Sequence, residues 1–276
     1  HKYAMIKKKI KAAYERLRFR LSSSNSFIYN GIHRYFYYPD SNSISYVLND
    51  YSRRKGPGFT VIQVGANDGL INDPINKFIK RDKWQGVLLE PQSWVFENYL
   101  QKVYRLDKGI VTLNAALGDK DGTTWLYKIA FSNERWAHGL ASFNKSILEK
   151  SLKSGYARRK ATKEGIDIPE DPDKQISREE VKVISPASLL KQYKIDKIDL
   201  LQIDTEGFDF EVIKMFEIEK TKPYFISFES LHFSEEDKKA CMEYLGARGY
   251  IHRTIGANTL AMLDSEKNYS DFFKSL

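Results

Sequence analysis

Val61-Ile62-Gln63-Val64-Gly65-Ala66-Asn67-Asp68-Gly69 decides how this chain folds. An apolar strand runs into a turn with a glycine at each end. Such glycines let a backbone approach a ligand closely and take conformations barred to other residues. In open α/β sheets the ligand lies at the carboxyl ends of the strands. The next strand, Gly86-Val87-Leu88-Leu89-Glu90, ends in an acid 21 residues after Gly69. An acid there can accept hydrogen bonds from both ribose hydroxyls of an adenosine. A dinucleotide site would read G-x-G-x-x-G and set a pyrophosphate at the helix N-terminus. This chain reads G-x-x-x-G and puts Asp68 in that place. A carboxylate repels phosphate and suits a cationic cofactor end, which favours S-adenosylmethionine over a nicotinamide dinucleotide. The bland alternative is a structural strand-to-helix turn followed by a surface Glu.

Outward from this turn, strands and helices alternate. Phe59–Val64, Gly86–Glu90, Ile110–Leu117, Ile198–Ile203 and Tyr224–Phe228 read as strands. Asn72-Asp73-Pro74 reads as a helix start, and helices follow through Tyr99, over Phe208–Phe216 and over Glu235–Leu245. Tyr250–Thr254 and Thr259–Leu263 read as a closing hairpin. The alternation predicts an α/β domain with a mostly parallel, doubly wound sheet. Residues 144–180 interrupt it with many charges, Gly155, Gly165 and Ile168-Pro169-Glu170-Asp171-Pro172-Asp173. They read as an insertion, part helix and part loop: a substrate wall, or a solvated excursion. Lys55-Gly56-Pro57-Gly58 marks the start of the domain, 56–276, after a helical extension, 1–55.

The composition is that of a folded chain, 42% apolar with 17 Tyr and 16 Phe. The single Cys241 permits no intramolecular disulfide, and it reads as a core residue. No apolar run is long enough to span a bilayer, and the first residues lack the apolar core of a signal peptide. These features predict a cytoplasmic location. The net charge of +8 would raise nucleic acid as a partner, but its distribution opposes it. The first twenty residues hold eight Lys and Arg against Glu15, so the other 256 carry only +1. Ile6, Ile10, Ala13, Tyr14, Leu17 and Leu21 recur at helical spacing among those charges. A basic amphipathic helix of this kind packs on the domain, its more common fate, or lies through residues 5–21 on the anionic inner face of a membrane.

The motifs together resemble the FkbM-type methyltransferases. Val61–Gly69 matches the opening motif, and Leu89-Glu90-Pro91, Asn114–Gly118, Ala141-Ser142-Phe143, Leu201–Asp209, Phe228–His232 and Asn258–Ala261 follow in the family's order. The resemblance spans Phe59 to Leu263. It implies a class I, Rossmann-like fold with a seven-stranded sheet and a C-terminal antiparallel hairpin. It also implies S-adenosylmethionine-dependent O-methyl transfer, usually to a sugar or glycan hydroxyl and sometimes to a polyketide. Two positions depart from the family: Gln63 replaces an acid that helps hold the cofactor's amino group, and Gln202 replaces a Lys. The expected cofactor site is Gln63, Gly65, Ala66, Asn67, Asp68, Gly69, Glu90, Pro91, Asn114, Ala115 and Asp204.

Methyl transfer needs aligned partners and a base for the hydroxyl proton. The fourth and fifth strands deliver Asp204, Glu206 and Glu229 to the sheet's carboxyl edge, with His232 a turn later and His138 beside Gly139. Each has a bland role open to it: capping or backbone binding for the acids, a surface position for the histidines. Asp204, Glu206 and Glu229 would also suit Mg²⁺ or Ca²⁺, although no spacing motif demands a metal. The competing functions are an RNA or protein methyltransferase anchored by its basic tail, and a non-catalytic cofactor-binding scaffold.

Overall fold

The computed structural model describes residues 2–71, 73–231, 233–265, 273 and 274, with side chains from Lys9 onward. Asn72 and His232 therefore lie outside the described residues.

Seven strands form the central sheet. They are β1 (Thr60–Val64), β2 (Gln85–Leu89), β3 (Ile110–Leu113), β7 (Leu200–Ile203), β8 (Phe225–Glu229), β9 (Tyr250–Ile255) and β10 (Asn258–Leu263), in the order β3-β2-β1-β7-β8-β10-β9. β1, β2, β3, β7 and β8 pair in parallel. β10 alone runs against both its neighbours. The strand order reverses between β1 and β7, and such a switch point opens a crevice at the strands' carboxyl ends. The expected fold class holds: α/β, with a mostly parallel seven-stranded sheet and a terminal antiparallel hairpin.

Successive side chains of a strand point to opposite faces, and each face here has its own core. Val61, Leu88, Leu200 and Phe225 meet Leu48, Phe78, Trp84 and Tyr104 on one side. Ile62, Leu201 and Ile226 meet Val212, Phe216, Cys241 and Leu245 on the other. Cys241 is the core residue the sequence predicts.

A second sheet of three strands, in the order β4-β6-β5, stands beside the first. It consists of β4 (Ala116–Leu117), β5 (Gly122–Ile129) and β6 (Ile176–Ile184). Two expectations change here. The strand read over Ile110–Leu117 is two strands in two sheets. Its break lies at Asn114, whose amide donates to the carbonyls of Glu90 (2.9 Å) and Pro91 (3.1 Å) and so turns the chain away from β3. The insertion is helical over Lys145–Lys153 and Tyr156–Glu164, but its end is neither helix nor loop: it is the start of β6, paired antiparallel with β5 from Ile176 to Val183. Four charges in nine residues, Arg178, Glu179, Glu180 and Lys182, hide this strand in the sequence, and the pairing with β5 stabilises it. The helix expected from Asn72 begins at Asn76, where Asp73 Oδ1 accepts from the amides of Ile75 and Asn76.

Three helices make up the extension: α1 (Lys2–Ser23), α2 (Phe27–Tyr35) and α3 (Ile44–Lys55). α3 buries Val47 and Leu48 and completes one face of the sheet. α1 touches the body through its last turns, by Phe19 edge-on to Tyr99 and by Leu21. No helix among the described residues is long and apolar enough to cross a membrane.

Lys80 is fully buried, donates to the Val103 carbonyl at 2.6 Å and pairs with Asp107. Removing one partner of such a pair strands a charge in the interior. Asp107→Ala is expected to lower the unfolding free energy by about 3–5 kcal/mol in urea titrations.

Candidate functional site

The chain leaves β1 through a turn that only glycine can begin. Gly65 sits at φ 80°, and a Cβ on it would lie 1.9 Å from the Asp204 carbonyl oxygen. This closeness brings the ends of β1 and β7 together, with the Asp204 amide donating to Val64 O at 3.0 Å. The amides of Gly65 and Ala66 both donate to Leu89 O, tying the turn to β2. Gly69 closes the turn at φ 64°, and there a Cβ would run into Leu100 and Tyr104.

Above these strand ends lies a cavity of about 630 Å³, within the range of small-molecule sites. Gly65 and Asn67 form its floor, with Glu90, Pro91 and Gln92 along β2. Ala115, Leu117 and Leu126 supply an apolar wall near the small sheet. Asp204, Thr205, Glu206 and Gly207 face it from β7. Phe143, Asn144 and Ile147 reach it from the start of the insertion. That stretch is therefore a wall of the cavity.

Glu90 is the most enclosed acid here. Its Oε2 accepts from the Asn67 amide (2.9 Å) and its Oε1 from the Gln92 amide (2.8 Å). Burial pushes its carboxyl up to about 7, against the pull of those two amides. Asp204 opens onto the cavity, yet the surrounding protein desolvates it. Together with the charges of Glu206, Asp209 and Glu229, this raises its carboxyl to about 7. Both acids thus titrate near neutrality, the range in which a carboxyl can take up and release protons in catalysis. Glu206 follows in the left-handed region at φ 52°, a sparsely populated conformation, with Gly207 next at φ 97°.

Other expected residues stand elsewhere. Asp68 does not line the cavity: its Oδ1 accepts from the amides of Leu70 and Ile71, and its Oδ2 pairs with Arg135. It therefore braces the turn. Gln63 and Ala66 are buried, and Gln63 donates to Asp73 at 3.3 Å. Asn114 holds the β2 terminus in place, while its neighbour Ala115 lines the cavity. Glu229 lies at the end of β8, outside the cavity lining, and acts on Asp204 through its charge. His138 lines the cavity with its ring stacked on Trp94 at 4.8 Å. Its Nε2 faces the Asn133 carbonyl at 2.9 Å and its Nδ1 the Gln92 side chain at 3.3 Å. Burial lowers its basicity. His232 lies outside the described residues. Among the described residues no three His, Cys, Asp or Glu side chains are gathered to hold a metal, so Asp204, Glu206 and Glu229 form no such group.

The structure adds Asp209. Fully buried, it accepts from the Thr205 amide and hydroxyl and from the Glu229 amide, and so locks the β7 turn to the end of β8. The sequence signal was the run Ile203-Asp204-Thr205-Glu206-Gly207-Phe208-Asp209 itself, whose last acid falls inside the helix read over Phe208–Phe216.

Gly65→Ala is expected to cost at least about 2 kcal/mol, from a left-handed backbone and a clash with the β7 terminus. Thermal unfolding compared with the parent chain measures it.

A family model described as the methyltransferase FkbM domain matches residues 63–252, 190 of the 276. No curated protein matches the chain. Among solved structures, the methyltransferase FkbM from Methylobacillus flagellatus KT is 12% identical with a TM-score of 0.45. That match covers 75% of this chain and 44% of the other, so this chain spans less than half of that protein's length. The METTL16 methyltransferase domain is 12% identical with a TM-score of 0.42, over 83% of this chain and 70% of that one. TrmK from M. capricolum, in complex with S-adenosylhomocysteine, is 9% identical with a TM-score of 0.37, over 81% and 68%. With two thirds of its residues matched by the family model, the chain belongs to the FkbM methyltransferase domain family.

Proposed function

We propose that this chain transfers a methyl group from S-adenosylmethionine to a hydroxyl of a sugar or glycan, with Asp204 as the base. The observation that carries the reading is that two acids, Glu90 after β2 and Asp204 after β7, line one cavity with carboxyls raised to about 7. The residues fit the cofactor. Each Glu90 oxygen takes one backbone amide and keeps acceptor capacity for a ribose hydroxyl. The apolar wall at Ala115 and Leu117 suits a purine. A pyrophosphate fits poorly, because Asp68 already occupies the Leu70 and Ile71 amides it would need.

When bound, S-adenosylmethionine supplies an electrophilic methyl group on a cationic sulfur. The protein's own part is to position and to move a proton. The Gly65 turn and Glu90 fix the donor, which converts a bimolecular encounter into an aligned one. Asp204 in its carboxylate form accepts the proton that the acceptor hydroxyl sheds. Thr205 and Glu206 lie beside it on the same wall and are placed to hold neighbouring hydroxyls of a polyol. The sugar assignment rests on these clustered acceptors and on the family resemblance.

Two outcomes are expected. The Glu90 carboxyl binds the ribose as a carboxylate, so cofactor binding releases a proton and tightens as pH rises through about 7. Calorimetry between pH 6 and 8 should find about a tenfold gain in affinity. In Glu90→Gln the profile should be flat and binding weaker by about 1–3 kcal/mol. The same shift carries the opposite sign for stability. The folded state holds this proton between 4.5 and about 7, so the group's contribution to the ligand-free protein falls as pH rises across that window.

For the base, Asp204→Asn should lower kcat by about 10²–10⁴-fold while circular dichroism stays unchanged. Methyl transfer by the parent chain to a panel of saccharides, followed with labelled S-adenosylmethionine, should rise with pH to a plateau above about 7. Full activity in Asp204→Asn would remove Asp204 from this role. Cofactor binding without turnover on any acceptor would favour a scaffold.

A further inference from the structure

Charge and exposed apolar surface coincide in the extension. Residues 1–39 hold nine of the 44 Lys and Arg residues and one of the 36 acids, Glu15. The other 237 residues then carry 35 of each sign and no net charge, so the whole +8 of the chain sits here. The same stretch exposes apolar side chains that a folded body would normally cover. In α1, Ile10, Tyr14 and Leu17 share one face with Leu21 by their three- and four-residue spacing. Leu21 packs against the core, whereas Ile10, Tyr14 and Leu17 stay more than half exposed. Beyond α1, Phe27 is 83% exposed, Phe36 76% and Tyr38 85%. α2 keeps Tyr29 in the core and turns Ile28, Ile32 and Tyr35 outward.

We propose that α1, α2 and the segment to Tyr38 form a docking surface for an anionic lipid bilayer. Apolar and aromatic side chains interleaved with Lys and Arg, almost without acids, are what an interfacial helix needs. The apolar groups enter the acyl boundary, and the basic groups stay among the headgroups. Tyr14, Tyr35 and Tyr38 suit that boundary by having an apolar ring and a polar tip. The surface is held to the catalytic body by contacts that leave this face open. Phe19 rests on Tyr99, Arg18 donates to the Leu70 carbonyl, and the Asn25 amide donates to the Leu106 carbonyl. A second copy fits the surface poorly. A two-fold interface pairs a patch with itself, and here it would set +8 against +8. Nucleic acid would answer the charge and leave Ile10, Leu17 and Ile28 uncovered.

The test is co-sedimentation of the full chain with phosphatidylcholine vesicles, with and without phosphatidylserine. Binding is expected to need phosphatidylserine and to weaken with salt. Lys9→Glu/Lys11→Glu/Arg16→Glu should lower the partition coefficient at least about tenfold. Phe27→Ser/Phe36→Ser/Tyr38→Ser should lower it by a similar factor at unchanged salt dependence. Both triple variants alter exposed residues, so their thermal midpoints should match that of the parent chain. No pelleting with phosphatidylserine at low salt, or equal pelleting with neutral vesicles, overturns the proposal. So does binding of an RNA homopolymer that the aromatic variant leaves intact while vesicles are not bound. So would a dimer by sedimentation equilibrium that the same aromatic substitutions dissolve, again without vesicle binding.

Discussion

The close passage of Gly65 under the Asp204 carbonyl is the constraint on which the site depends. With no side chain at Gly65, the ends of β1 and β7 approach until no Cβ fits between them. The switch in strand order at this point would open a crevice in any doubly wound sheet. What is particular here is that the crevice opens between two acids, Glu90 from β2 and Asp204 from β7. The turn itself is fixed from below by Leu89 and from the side by Asp68, Asn76 and Tyr104. Asn76 and Tyr104 both donate to the Gly69 carbonyl. The floor of the cavity is thus braced by residues that never reach it.

The site also gathers negative charge at some cost. Glu90, Asp204 and Asp209 all have raised carboxyl pKa values, mainly through desolvation. Burying carboxylates destabilises a fold unless backbone amides or hydroxyls satisfy them. Glu90 and Asp209 are satisfied in that way. Asp204 opens onto the cavity instead, beside Glu206 in its left-handed turn. Desolvation does most to keep Asp204 protonated to near pH 7, and a cationic donor brought to this wall would offset the like charges of Glu206, Asp209 and Glu229 that add to it. Strain and like charge of this kind concentrate at functional sites.

The two additions to the core fold differ in character. The small sheet and the helices of the insertion are integrated: Leu126 and Val181 pack on Ala116, and Phe143 and Ile147 reach the cavity. The extension is divided. α3 is part of the core, and α1 and α2 are held at a few points while much of their apolar surface stays open. The neutral body and the charged extension therefore present different surfaces, one a cavity lined by hydrogen-bonding groups, the other basic with exposed apolar side chains.

The sequence by itself determined the central sheet and the strand ends, Glu90 and Asp204 among them, that open onto the cavity. Period and punctuation suffice for β1, β2, β7 and β8, because strands buried on both faces are short apolar runs ended by glycine or acid. Glu90 and Asp204 were legible for the same reason, since a strand's last residue must sit at the carboxyl edge. The tertiary structure decided what local pattern cannot encode. β6 is a charged strand that exists through pairing with β5, and Ile110–Leu117 divides because the Asn114 side chain binds carbonyls of a neighbouring strand. Asp68 faces inward to amides and Arg135, 67 residues away in sequence, so its role in the turn could not be read from the turn. Asp209 fell inside the helix read over Phe208–Phe216 and is the clamp between two strand ends. Sequence fixes which residues arrive at an edge; long-range partners fix which way their side chains face.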